Sequence, residues 1–246
     1  MDLLGWGSSA IREVEETIRT ICKVETSDGI LFESESVKGT RIKEEDEYEG
    51  VSVKLRAVLA GARIRMQVDI GFGDAVYPKP EFASFPVLLP MEVPVILAYP
   101  REATIAEKLN AMVVLDIRNS RMKDFYDIWF MANNWIFEMA SLRNAILASF
   151  ERRGVAVPQD VPFALTDEFL NDPQKKQQWS AFVGQLHPEN TTPSLEEVGA
   201  LLRTFLLPCI LSAPPSVSSN LHWSLSLHWE KPNPNEHNAK NEVRFL

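Results

Sequence analysis

The chain has 246 residues, 45% hydrophobic and 24% charged, enough for one large domain or two small ones around a core of useful size. Its formal net charge of -9 excludes non-specific tracking of nucleic acid through bulk charge, while a local basic site stays open. No apolar run approaches the roughly 20 residues of a membrane span. Met1-Asp2-Leu3-Leu4-Gly5 has neither a basic leader nor a long apolar stretch, so no signal peptide is expected. Two cysteines far apart, Cys22 and Cys209, make neither a disulfide framework nor a metal cluster. These features predict a cytoplasmic protein without a membrane partner.

Ile11, Val14, Ile18 and Ile21 recur at helical spacing and predict a helix over 8–22, with Ser8 or Ser9 as N-cap. From about 30 to 70 the period becomes two. Val51, Val53 and Leu55 alternate with polar or small neighbours. So do Ile64, Met66, Val68 and Ile70, interleaved with Arg63, Arg65, Gln67 and Asp69. The short link Leu59-Ala60-Gly61-Ala62-Arg63 joins them into a β-hairpin. Residues 77–94 hold five prolines and predict an extended surface connection, with a short strand at Val87-Leu88-Leu89.

Helical spacing then returns: Ile105, Leu109, Met112 and Val113 within 102–117; Phe125, Ile128 and Trp129 within 121–134; then Leu142, Ile146 and Phe150. A last helix carries Leu201, Leu202, Phe205 and Leu206, opened by the capping signal Ser194-Leu195-Glu196-Glu197. After about Ser212 the sequence turns rich in Ser, Pro and Asn, with Leu-His-Trp triplets at 221–223 and 227–229. His222, Trp223, His228 and Trp229 raise a metal-binding tail, but the composition predicts a disordered or unrelated extension. The order of helix, strands and then helices predicts an α+β fold. Its expected divisions are 1–97 as an α/β half, 98–212 as a helical half and 213–246 as the tail.

Asp69 sits between Val68 and Ile70 at the end of an alternating strand, where aspartate is out of character and a buried unpaired carboxylate is costly. It reads either as a metal ligand for phosphoryl chemistry or as a solvent-face residue beside Arg65 and Gln67. Further on, Lys108 lies mid-helix, one residue from the apolar stripe, where it either snorkels or meets a phosphate. Asn119, Lys123 and Asp127 follow at spacings of four, and Asp124 and Asp127 are three apart, beside Phe125 and Trp129. That cluster is either a functional site or an ion-pair network along a helix start. Neither pair has zinc spacing.

Glu107-Lys108-Leu109, then Asn119-Ser120-Arg121-Met122-Lys123-Asp124-Phe125-Tyr126-Asp127, together with Val68-Asp69-Ile70-Gly71-Phe72-Gly73-Asp74, resemble motifs of the AbiEii/AbiGii nucleotidyltransferase toxin family. The resemblance runs from residue 2 to about 212. It implies a polymerase-β-type nucleotidyltransferase fold, with a mixed sheet followed by a helical C-terminal half. It also implies transfer of a nucleoside monophosphate from Mg²⁺-NTP to an acceptor such as tRNA, and a cognate antitoxin as partner. By the same resemblance Asp2 and Asp69 would hold Mg²⁺, and Lys108 would contact the nucleotide phosphates. Asp124 or Asp127 would organise the site, with Lys123 and Arg121 beside them. The family's Gly-Gly turn and the first acid of its Asp-x-Asp strand would precede Met1, so the sheet is expected to be incomplete at its N-terminus and the chain N-terminally truncated. The alternative expectation is a catalytically inactive fragment that binds nucleotide or an antitoxin without chemistry.

Overall fold

A computed structural model describes residues 2–43, 49–72, 76–186, 193–211 and 220–231. The chain divides into two compact units: Met1–Ala75 with Leu89–Glu92, and Val76–Leu88 with Val93–Leu246. Gly73 and Asp74 of the strand motif lie outside the described residues, as do 213–219 and 232–246 of the expected tail.

The first unit is a four-stranded mixed sheet with one helix on it. Strands β1 (Asp2–Gly5), β2 (Leu31–Lys43), β3 (Glu49–Leu59) and β4 (Ala62–Phe72) are ordered β1-β4-β3-β2. β1 runs parallel to β4 and the other neighbours are antiparallel. The expected β3–β4 hairpin is present. Its two-residue turn places Ala60 at φ 47° and Gly61 at φ 85°, the positive values that let a tight turn follow the twist of the strands. That turn fixes the register: Val53 pairs with Val68 and Val51 with Ile70, while Ser52 pairs with Asp69. One sheet face therefore collects Val51, Val53, Leu55, Val68 and Ile70, which bury Val14 of helix α1 (Ile11–Ile21).

Helix α1 is amphipathic as the spacing predicts, but its N-cap is Ala10 rather than a serine. The Ser8 hydroxyl instead accepts a hydrogen bond from Ala10 N at 3.2 Å, satisfying the backbone one step early. Glu15 on α1 accepts from the backbone N–H of Gly39 on β2 at 2.7 Å. That bond, followed by Arg19, holds the Glu15 carboxyl below its usual range against a smaller desolvation effect. A side chain at position 39 would meet Ile11 at 2.8 Å, so glycine is what lets helix and strand approach here.

The second unit is mainly helical. Its helices are α2 (Arg101–Leu115), α3 (Met122–Asn134), α4 (Met139–Arg152), α5 (Asp167–Asn171), α6 (Pro173–Val183) and α7 (Leu195–Leu211). Residues 81–84 and 95–98 form a two-stranded ribbon, β5 (Glu81–Ser84) with β6 (Val95–Ala98). The expected strand at Val87–Leu89 is absent; these residues form the link between the ribbon's strands, where Pro86 and Pro90 lack the N–H a ladder needs. The capping signal before α7 is realised in both directions: Ser194 N donates to Glu197 Oε2 at 2.7 Å, and Glu197 N donates to the Ser194 hydroxyl at 3.2 Å.

The core of this unit is a continuous set of side chains including Ile105, Leu109, Phe125, Ile128, Leu142, Phe150, Phe169 and Phe205. Residues 220–231 differ from the expected disordered tail. Strand β8 (His222–Trp223) pairs with β7 (Phe137–Glu138), and β9 (Trp229–Glu230) pairs with β8. Trp223 is 0% exposed, packs 4.7 Å from the Phe205 ring and donates to Ala132 O at 2.7 Å. Trp229 stacks on the Phe205 ring at 5.8 Å, meets Trp223 edge-on and donates to Phe205 O at 3.0 Å. A polar composition misleads here because two indoles supply a large apolar area and each finds a carbonyl for its N–H. Among the described residues no helix is long and apolar enough to cross a membrane.

Candidate functional site

In the second unit the structure brings Lys108, Arg121, Lys123, Asp124 and Asp127 into one cluster. Lys108 projects from the middle of α2, on the edge of the face that buries Ile105 and Leu109. Its ammonium lies 2.7 Å from Asp124 Oδ1 and 2.7 Å from Asp127 Oδ2, both on the first two turns of α3. The i,i+3 spacing sets the two carboxylates side by side, as the sequence predicts. Burial disfavours the charged lysine, but the two carboxylates outweigh it and raise the Lys108 ammonium above its ordinary value. An ammonium has three N–H donors, so two carboxylate contacts leave one for a third acceptor.

Asp124 is buried, with a side chain 4% exposed, and its Oδ2 lies 2.8 Å from Arg121 Nε. That contact is an ion pair by distance but is not aligned as a hydrogen bond. Lys123, on the solvent side, sits 2.5 Å from Asp127 Oδ2. Three cations thus share two carboxylates. Arg121 and Lys123 are the exposed members, with side chains 58% and 70% accessible.

The predicted helix over 121–134 starts at Met122, with Arg121 as its N-cap residue. Asn119 precedes the helix, so its spacing of four from Lys123 is not helical. It acts through the backbone instead: its Oδ1 accepts from Arg121 N at 2.9 Å, and its own carbonyl accepts from Lys175 Nζ at 2.8 Å. Lys175, on α6, is 4% exposed and sits 5.0 Å from the centre of the Phe169 ring. Sequence reasoning missed Lys175. A lysine two residues after the helix-starting pair Asp172-Pro173 gives no sign that its ammonium turns inward.

In the first unit Asp69 lies on β4, half-buried, on the sheet face opposite α1. Gln67 Nε2 donates to both its oxygens, at 3.1 and 3.0 Å. The Ser52 hydroxyl, directly across the strand pair, holds the Asp69 carboxyl below its usual range by proximity. Gln67 and then Lys54 add to this, against a desolvation effect. Ser52 Oγ itself makes no aligned hydrogen bond. Asp2 is the backbone partner of Asp69 across the parallel β1–β4 pair, so the two positions lie at the same level of the sheet. Carboxylate oxygens are the donors Mg²⁺ takes, and that ion is commonly bound by one or two carboxylates with substrate phosphates and water completing the set. Asp69 offers such oxygens, both of them engaged by the Gln67 amide. Among the described residues no group of three His, Cys, Asp or Glu is placed to hold a metal. His228 of the tail contacts Glu230 at 3.1 Å, which raises its pKa less than the Ser226 carbonyl does.

A family model described as "Nucleotidyl transferase AbiEii toxin, Type IV TA system" matches residues 1–201. The chain belongs to this family. The match contains Asp69, Lys108, Asp124 and Asp127 and stops before the β8–β9 hairpin. The mixed sheet followed by helices agrees with a nucleotidyltransferase-type fold. No curated protein and no solved structure matches the chain.

Proposed function

We propose that this AbiEii-family chain transfers a nucleoside monophosphate from an NTP to an RNA acceptor such as tRNA. On this reading it acts in the cytoplasm as the toxin of a pair with a cognate antitoxin. The observation that carries the reading is Lys108, held protonated by Asp124 and Asp127 with one N–H donor left over. That donor would meet a phosphate oxygen of the nucleotide, while Arg121 and Lys123 are exposed and long enough to turn toward the same phosphates. Asp124 and Asp127 act by orienting the lysine. Mg²⁺ would be held by Asp69 with Asp2 at its level, and when bound supplies charge compensation for the phosphate oxygens.

A second reading, nucleotide or antitoxin binding without chemistry, draws on Gln67. Its amide engages both Asp69 oxygens and competes with any metal there. One assay separates the two. The 246-residue chain is incubated with Mg²⁺, RNA and each NTP labelled at the α-phosphate. Label in RNA that disappears in Asp69→Ala and Lys108→Met is expected. Undiminished labelling in Asp69→Ala overturns the metal assignment. Absence of label, combined with NTP binding that Lys108→Met abolishes, selects the second reading.

A further inference from the structure

The sheet face that carries Asp69 has a second feature. The hairpin register that places Ser52 beside Asp69 also places Lys54 beside Gln67 and Arg56 beside Arg65, all on the face away from α1. β2 adds Lys38 directly opposite Lys54. These residues line a groove of about 560 Å³, which Leu55 and Met66 also border. Residues two apart on a strand are spaced by about 6.8 Å, so the cations form successive rows leading away from the Asp69 level.

The arrangement works against the stability of the sheet. Lys38 faces Lys54, and Arg56 faces Arg65, as direct cross-strand neighbours. Like charges in that position destabilise a strand pair. Arg56 is paired with Glu33 at 2.7 Å. Among the described residues Lys38, Lys54 and Arg65 make no ion pair, and all three are exposed. A chain of net charge -9 thus concentrates unpaired positive charge in one groove. A ligand that repeats negative charge at regular intervals relieves the repulsion in every row. The groove lining contains no aromatic ring for base stacking, and its one amide, Gln67, is engaged by Asp69. Contacts of this kind grip a backbone without reading sequence.

We propose that the groove lined by Lys38, Lys54, Arg56 and Arg65 binds the phosphodiester backbone of the acceptor, a single-stranded RNA end, and directs it along β3 and β4 toward Asp69. This rests on the reading of the chain as a nucleotidyltransferase with Asp69 in its reaction site, and names where that site's second substrate lies.

The test is fluorescence polarisation of a labelled single-stranded RNA 12-mer with the full chain, in EDTA and without NTP, over a range of salt. The wild type is expected to bind, with log K falling by about 0.7 per phosphate contacted per decade of salt. Lys54→Glu combined with Arg65→Glu is expected to weaken binding at least tenfold and to flatten the slope by about 1.4, the loss of two phosphate contacts. Arg12→Glu, a single charge reversal on the α1 side of the sheet, is expected to leave binding unaltered, with circular dichroism showing all variants folded. No binding by the wild type, an unchanged slope in the double variant, or equal loss in Arg12→Glu overturns the proposal. So does displacement of the RNA by polyglutamate at equal charge, which assigns the groove to an acidic protein, or by inorganic triphosphate at equal charge, which assigns it to a nucleotide. The outcome is separable from that of the transfer assay. Retained labelling in Asp69→Ala removes the role of Asp69 and leaves the binding result intact. Undiminished RNA binding by the double variant removes the groove whatever the labelling shows.

Discussion

Replacing Asp124 by asparagine keeps the shape of the side chain and removes its charge. In the structure Asp124 Oδ1 lies 2.7 Å from Lys108 Nζ and Oδ2 lies 2.8 Å from Arg121 Nε, with the side chain 4% exposed. Asparagine would retain one acceptor but set an amide NH₂ or a neutral oxygen against a cation. Breaking a buried pair from one side costs about 3–5 kcal/mol, because the surviving charge stays buried without its partner. Lys108 keeps Asp127 at 2.7 Å, and Arg121 is exposed enough to rehydrate, so the lower end applies, about 3 kcal/mol. Urea unfolding followed by tryptophan fluorescence suits the question, since every tryptophan but Trp6 lies in the second unit. Lys108→Met on its own should also destabilise, by leaving two carboxylates short of a cation. In the double variant the two losses should fall short of additivity by at least about 1 kcal/mol, since contacting residues couple. A loss under about 1 kcal/mol for Asp124→Asn, or strict additivity with Lys108→Met, refutes the cluster as an energetically coupled unit.

The pH dependence has a definite sign. Because the folded Lys108 is raised above its unfolded value near 10.4, its contribution is fully present below that pH and is lost as pH climbs through the folded value. The stability difference between wild type and Lys108→Met should therefore stay level from pH 8 to 10 and shrink above about 10.4, measured as urea midpoints; a difference growing with pH contradicts the pairing. Trp223→Ala should cost about 3–5 kcal/mol, read by the same unfolding, since a fully buried indole and its bond to Ala132 O are both lost. A loss under about 1 kcal/mol would show that the hairpin does not seal the helical core. Burial pushes the Cys209 thiol up to about 12 and raises Cys22 as well, though Cys22 is only half-buried. Alkylation at pH 8 should modify Cys22 slowly and Cys209 only after unfolding, counted by mass spectrometry; fast double labelling of native protein would contradict the packing of α7.

The parts of the fold that were legible are those whose cause is local. The β3–β4 hairpin was readable because alternation and a glycine-containing turn act within about twenty residues, and once the turn is placed at Ala60-Gly61 every pair in it follows. The α7 capping box was readable for the same reason. The pairing of β1 with β4 joins segments far apart in sequence, and nothing in either four-residue stretch announces it. Helices α5 and α6 carry no apolar periodicity in the sequence, although Thr166 caps one and Asp172, followed by Pro173, caps the other. The signals were present, but short polar helices lack the apolar stripe that draws attention to them. In the site, Asp124 and Asp127 were identifiable as a facing pair from spacing. Their partner Lys108 lies across a turn on a different helix, and only the family resemblance joined the two segments beforehand.

The same contrast explains why bulk composition understated the chain's capacity for anions. Net charge sums over the whole surface, whereas a strand sorts residues by parity onto two faces. Interleaving Lys54 and Arg56 with Val53 and Leu55 on β3 sends apolar groups to α1 and cations to the opposite face; Arg65 and Gln67 do the same on β4. Acidic residues such as Glu13 and Glu16 are carried by α1, on the other side of the sheet. An overall charge of -9 and a cationic groove are therefore compatible, because net charge is a sum over the chain, and Asp69 and Glu33 on the groove's face leave Lys38, Lys54 and Arg65 without an ion pair among the described residues. In the helical unit the balance is struck differently. There Asp124 and Asp127 meet the cations directly, fixing the position of Lys108 at the cost of part of its charge, while Arg121 and Lys123 stay exposed. One arrangement suits a partner with many evenly spaced charges and the other a compact phosphate that must be held in one orientation.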